Sequence, residues 1–316
     1  MKRYFSLLVV LCLASCSDNN SDSQDSLVLH GTRYTIVQIE IDADDADDFP
    51  FGSIFTASGI NDAGQIVGTA SCVDGCGYLL ENGRLTRIDA LALGGGFFQS
   101  ANAINNRRQI VGMFAGCFTG IFIGTRGYLL EEDNRVTLFD FPGIPTQPAC
   151  SQNRTFAFGI NDAGQIVGAF FLEGDKGRHG FLRDGETFSR LDVPGATSTE
   201  AHGMNNAGHI VGTFVDSNGG RHGFLWVEGT FMVLDAPGAT STEADGINDA
   251  DQIVGTFEDA SGVWHGFLWV EGAFAVLDFP GTLRTAAHGI NNLGQIVGDF
   301  RVTELVTKGY VATPAQ

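Results

Sequence analysis

Basic residues are scarce. The 316-residue chain carries 18 Lys and Arg against 37 Asp and Glu, a formal charge of −19, and no basic run follows Lys2-Arg3. A nucleic-acid surface gathers Lys and Arg against phosphates, so this composition argues against that partner. Such a charge keeps an exported protein soluble and leaves cations or basic partners open. Proline (8) and methionine (4) are also few, and no stretch has the pattern of a long amphipathic helix. Gly-x-Ser-x-Gly, His-Glu-x-x-His, a phosphate-binding glycine loop and paired CxxC of zinc spacing are all missing. The common hydrolase, metalloprotease, nucleotide and zinc-module signatures therefore have no residues here.

Glycine (43) and phenylalanine (25) are abundant instead, which suits short strands with tight turns. The chain is organised around Gly59-Ile60-Asn61-Asp62-Ala63-Gly64-Gln65-Ile66-Val67-Gly68, whose copies centre on Asn61, Asn105, Asn161, Asn205, Asn248 and Asn291. Successive copies are 44, 56, 44, 43 and 43 residues apart. Each reads as a hairpin, because Asn and Asp bond their own backbone two residues on and Gly supplies positive φ. Arg108 and Asp251 stand where the first copy has Gly64. Arg tolerates that conformation less readily than Asp, which predicts a distorted second hairpin.

A full copy offers four strands: Thr199 to Asn205, His209 to Val215, His222 to Val227 and Phe231 to Asp235. The last copy ends before its fourth strand, and Tyr34 to Asp42 fits the vacancy, with Ile39, Ile41 and Asp42 echoing Val276, Leu277 and Asp278. Four strands per copy, completed by the first strand of the chain, predict an all-β six-bladed β-propeller over residues 34–316. A β-solenoid is the structural alternative, but it gives the N-terminal strand no reason to match a fourth strand. Closure removes the sheet edge that a solenoid would leave open.

Ahead of the repeats, Lys2-Arg3, an apolar run from Phe5 to Leu13 and Leu13-Ala14-Ser15-Cys16 compose an export signal over residues 1–15. The Leu-Ala-Ser-Cys ending resembles a bacterial lipobox. That resemblance implies lipidation of Cys16 as the first mature residue, with Ser17 pointing to the outer membrane in a cell that has one; the plainer alternative is an ordinary cleaved signal. Residues 16–33, rich in Ser, Asp and Asn, then read as a flexible tether. The Ala-x-Gly-Ile-Asn-x-x-Gly-x-Ile-Val-Gly pattern is similar to the bacterial extracellular HAF-type repeat family, with Phe156-Ala157-Phe158 nearest to its triplet. It implies repeats on an extracellular protein and no particular activity.

The first strand of each copy holds Ala57, Ala101, Ala157, Ala201, Ala244 and Ala287, then, two residues on, Gly59, Ala103, Gly159, Gly203, Gly246 and Gly289. Such small residues predict close packing where copies converge on an axis. Between them lies a variable position: Ser58, Asn102, Phe158, His202, Asp245 and His288. His202, Asp245 and His288, in consecutive copies, are the candidates for acid/base or metal chemistry, with Glu200 and Glu243 two residues earlier. The alternative is polar lining at the mouth of a watery channel. His179, His222 and His265 open the third strands, too far apart across blades to share an ion. Asp42 to Asp48 is a charge run without the glycine and terminal glutamate of an EF-hand loop.

Cys72, Cys76, Cys117 and Cys150, all expected in loops on one face, form an even set in an oxidising compartment, open to three disulfide pairings. Cys72 with Cys76 would clip a hairpin and Cys117 with Cys150 would span the second copy; a C-x3-C metal pair is the weaker rival. The 56-residue spacing places insertions at Phe114 to Arg126 and Gly143 to Thr155, where Phe118, Phe122 and Ile123 are binding candidates. No cofactor or metal is called for. Together these features favour a lipid-anchored binding module for protein or glycan at the cell envelope, attached to the membrane by its anchor. A propeller hydrolase or lyase on polysaccharide, or a purely structural envelope protein, are the alternatives.

Overall fold

The computed structural model describes residues 26–39, 55–70, 76–88, 99–118, 121–144, 154–172, 174–304 and 306–315. All its regular elements are strands. The export signal, Cys16, Cys72, Cys150 and the Asp42 to Asp48 run lie outside the described residues.

The repeat turn forms as its residues dictate. Asn61 Oδ1 accepts from Gln65 N at 3.0 Å, Gly64 N donates to Asn61 O at 3.0 Å, and Gly64 takes φ 75°. Arg108 and Asp251 adopt φ 59° and 56° at the same place. The second hairpin is irregular as expected, but not at its turn, where Arg108 N still donates to Asn105 O at 3.1 Å. The irregularity lies upstream: the first strand of that copy shortens to Ala103–Ile104, preceded by an isolated Gln99–Phe114 bridge.

Each copy is an antiparallel sheet, seen in the fourth as Ser198–Met204, Ile210–Val215, Arg221–Val227 and Thr230–Leu234. Single parallel pairs, Arg154 with Thr125 and Arg221 with Ser241, join copies two to three and four to five into larger sheets. The six turns form a closed ring. The side-chain amide of each repeat Asn donates to the carbonyl of the next: Asn61 to Asn105, Asn105 to Asn161, Asn161 to Asn205, Asn205 to Asn248, Asn248 to Asn291, and Asn291 back to Asn61.

A second ring lies one residue further on, where Asp62, Asn106, Asp162, Asn206, Asp249 and Asn292 alternate acid and amide. Each amide donates to two carboxylates, as Asn106 Nδ2 does to Asp62 Oδ2 at 2.9 Å and Asp162 Oδ2 at 3.0 Å. Each residue's backbone N–H also donates to the next one's side chain at 2.8 Å.

The N-terminal strand closes the last sheet. Thr32–Gln38 pairs antiparallel with Val306–Pro314, Tyr34 opposite Pro314 and Gln38 opposite Tyr310. The register differs from the expected echo by two residues: Ile39, bonded to Gly309 O, takes the place of Leu277, which faces Gly266. A two-residue slip keeps the same side chains inward, so sequence pattern alone could not separate the registers. The tether also ends earlier than expected, because Ser26–Leu29 folds back as a fifth strand on Thr32–Gln38 and buries Leu29 to 1% exposure. Alternating Leu27 and Leu29 supply the apolar face that makes this possible.

Between sheets, packing leaves no room for larger residues on the inner strands. A Cβ on Gly203 would lie 3.2 Å from Gly246 Cα, and one on Gly246 3.1 Å from Gly289 Cα. Tyr78, Tyr128, Phe181, Phe224, Phe267 and Tyr310, one per copy on the third strand, are fully buried. Each ring covers the glycine of Ile-Val-Gly, so a Cβ on Gly212 would sit 2.0 Å from Glu200 O and 2.8 Å from the Phe224 ring.

Candidate functional site

The first strands are not regular. In the first, third, fourth, fifth and sixth copies a bulge falls between the conserved-in-place Ala and Gly, as between Ala201 and Gly203. Simple alternation was expected there. The bulge leaves the intervening residue unpaired and re-aims it, a common use of bulges beside functional sites. All six variable residues consequently line one axial cavity of about 570 Å³.

Three of them form one ionic chain. His202 Nδ1 lies 2.9 Å from Asp245 Oδ1, and His288 Nδ1 lies 3.6 Å from Asp245 Oδ2. His288 Nε2 lies 2.7 Å from Asp299 Oδ1. The predicted trio is therefore brought together, and Asp299 extends it. Asp299 was missed, although its signal was present: it follows Ile296-Val297-Gly298 where the other copies have Thr69, Met113, Ala169, Thr213 and Thr256.

Burial opposes charge on both imidazoles, but Asp245 outweighs it, so His202 is raised with help from Glu200 and Glu243. Asp245 and Asp299 together push His288 up to about 10. Asp245 is also desolvated, yet its bonds to both imidazoles hold its carboxyl well below the usual range. At neutral pH Asp245 and His288 are therefore an ion pair of fixed charge. Both ring nitrogens of His288 face carboxylates, which removes the lone pair a metal ligand needs. Glu200 and Glu243 turn outward to Arg178 at 2.5 Å and Arg221 at 2.8 Å, so they are not further ligands of the trio.

The cavity has a built floor. Ile60, Ile104, Ile160, Met204, Ile247 and Ile290 line it and also line a space of about 70 Å³ beneath the Asp/Asn ring. Higher up, Phe158 meets His202 edge-on at 5.4 Å between centroids. Arg284 lines the same cavity, and its Nε has no hydrogen-bond partner among the described residues.

The second histidine set stays apart, each ring serving its own sheet. His179, His222 and His265 pair through Nδ1 with Asp192, Asp235 and Asp278, and through Nε2 they approach Asp175, Asp216 and Asp259. These Asp-His-Asp clamps fasten the second-to-third strand connection to the fourth strand.

The expected loop at Phe114 to Arg126 is largely strand, since Ile110–Phe118 and Ile121–Leu130 pair out to Phe118 with Ile121. Alternating Phe and Ile can extend a hairpin as readily as cover a loop. Phe118, Phe122 and Ile123 therefore sit on strand tips, Phe122 opposite Cys117; their side-chain surroundings, like most of the Gly143 to Thr155 insertion, lie outside the described residues. Cys76 and Cys117 likewise lie on strands rather than in loops, Cys76 being buried to 2% exposure.

No protein-family model matches the chain, and no curated protein matches its sequence. Solved structures do resemble it in fold. TolB from Acinetobacter baumannii is 10% identical with a TM-score of 0.50 over 80% of this chain, which spans 64% of that TolB. The β-propeller domain of the Trilobed protease from Pyrococcus furiosus, described as having an open velcro topology, is 10% identical with a TM-score of 0.51, over 92% and 89% of the two chains. The fucose-specific lectin from Aleuria aurantia is 10% identical with a TM-score of 0.50, over 84% and 96%. The chain has a β-propeller fold; identities this low carry nothing further.

Proposed function

We propose that the chain is a six-bladed propeller of the bacterial envelope, lipid-anchored through Cys16 and belonging with HAF-type repeat proteins, that binds glycan in its axial cavity. The observation that carries the binding role is the occupied state of His288, whose two nitrogens face Asp245 and Asp299. A group so clamped presents fixed charge and does not readily exchange protons, which suits recognition better than turnover. Polar rims over an apolar floor suit sugars, which offer hydroxyls at their edges and C–H faces between them. A propeller of related shape is a fucose-specific lectin in Aleuria aurantia, so the fold is compatible with this role. Disulfides among Cys72, Cys76, Cys117 and Cys150 belong to the same proposal, as does an outer-membrane location.

A hydrolase or lyase acting on polysaccharide is the second reading, and one feature favours it. His202 is oriented through Nδ1 by Asp245, while its Nε2 has no hydrogen-bond partner among the described residues, the arrangement of a general base.

One experiment separates the two. The full chain is incubated with envelope and extracellular polysaccharides while melting temperature and new chain ends are followed. Binding predicts a thermal shift without new ends, weakened in His202→Ala. New ends that vanish in His202→Ala would establish the enzyme. No shift with any polysaccharide would refute glycan binding.

A further inference from the structure

A second cavity, of about 740 Å³, shares His202 with the axial one. It runs outward between the third and fourth copies and is lined by Arg154, Lys176, Arg178 and Arg221 with Phe156 and Phe171. Four of the 18 Lys and Arg in a chain of charge −19 thus face one cleft. They outnumber the two carboxylates on its wall, Glu200 and Glu243.

The four cations are not equivalent. Arg178 is preorganised: its guanidinium lies over the Phe156 ring at 4.7 Å and one nitrogen is held by Glu200, leaving its other donors for a ligand. Arg221 is held by Glu243 in the same way. Arg154 and Lys176 are exposed and have no ion-pair partner among the described residues. Phe171 is only half-buried and lines the same cleft.

We propose that this cleft binds an acidic oligosaccharide, with carboxylates on Arg154, Lys176 and the guanidinium groups of Arg178 and Arg221, and a sugar ring against Phe171. The proposal rests on the glycan-binding role above and specifies the class of glycan. Arginine forks match carboxylates in pairs, and aromatic faces take the C–H side of a pyranose.

The test titrates the full chain with a galacturonate oligosaccharide, its carboxyl-reduced neutral counterpart and a glutamate-rich peptide. Arg154→Glu/Lys176→Glu serves as the variant, since both side chains are exposed and the melting temperature confirms folding. The acidic sugar should bind at least roughly tenfold more tightly than the neutral one, an advantage the double variant should lose. Equal binding of both sugars would overturn the acidic preference and leave glycan binding standing. An acidic preference untouched by the double variant would overturn the location. Binding of the peptide and neither sugar would overturn both this inference and the glycan-binding role.

Discussion

The Asn291 side-chain amide donates to the Asn61 carbonyl at 3.0 Å, across 230 residues of sequence. The same bond joins every other consecutive pair of repeats, so this one closes a ring that the chain otherwise leaves open. Asn291 is buried to 4% exposure, and its Oδ1 also accepts from Leu293 and Gln295 N–H groups.

Asn291→Ala should therefore cost about 2–3 kcal/mol, because it leaves buried backbone groups on both sides without partners. Urea unfolding of the full chain checks this. A loss below the error of that measurement would show that strand pairing alone closes the ring.

The Asp/Asn ring makes a charge-specific prediction. Asn206→Asp removes two donors, to Asp162 at 3.0 Å and Asp249 at 2.9 Å, and sets three carboxylates side by side. These groups are solvent-facing, so the expected cost is about 1–2 kcal/mol and should shrink as salt rises. Melting temperatures at low and high salt test it, and a salt-independent loss would point to geometry rather than charge.

Two glycines of the fourth copy, four positions apart in sequence, differ sharply in tolerance. Gly212→Ala places a Cβ 2.0 Å from Glu200 O and should cost more than about 3 kcal/mol or prevent folding. Gly208→Ala meets nothing within 4 Å but holds φ +84°, so about 1 kcal/mol of backbone strain is expected. Comparing soluble yield and melting temperature of the two separates clash from strain.

Protonation of His288 should stabilise the fold over a definite window. Its folded value is raised from 6.5 to about 10, so its contribution is fully present below pH 6.5 and is lost as pH rises through about 10. Asp245 is lowered from 3.8, so its contribution is present above that value and is lost as pH falls below it. Stability measured by urea unfolding should decline on the alkaline side, and His288→Gln should flatten that decline while lowering stability at neutral pH. A variant with the same alkaline slope as the parent would remove His288 as its cause.

Much of the fold was legible because turn chemistry and strand alternation are local. Asn61 and Gly64 announce a hairpin wherever they stand, and the vacancy after Val311 announces a missing strand. The two-residue error at Ile39 arose because pairing register depends on a partner some 270 residues away, and either register keeps the apolar face inward. Leu27 and Leu29 were hidden in a polar composition that masked their alternation. At the site, the trio was found from its shared position in the repeat. Asp299 escaped notice because it lies on a neighbouring strand, and the cleft cations because they come from several strands with no common spacing.

The sequence by itself determined the repeat, its turn, the small residues of the inner strand and the position from which His202, Asp245 and His288 project. Those depend on backbone conformations that Asn, Gly and Ala impose locally. Only the tertiary structure decided that a bulge aims those side chains into one cavity, that Asp299 joins them, that Glu200 and Glu243 leave for Arg178 and Arg221, and that Asp and Asn alternate into a closed ring. Each of those outcomes requires groups from different copies to meet within a few ångströms, a distance set by how the sheets pack around the axis.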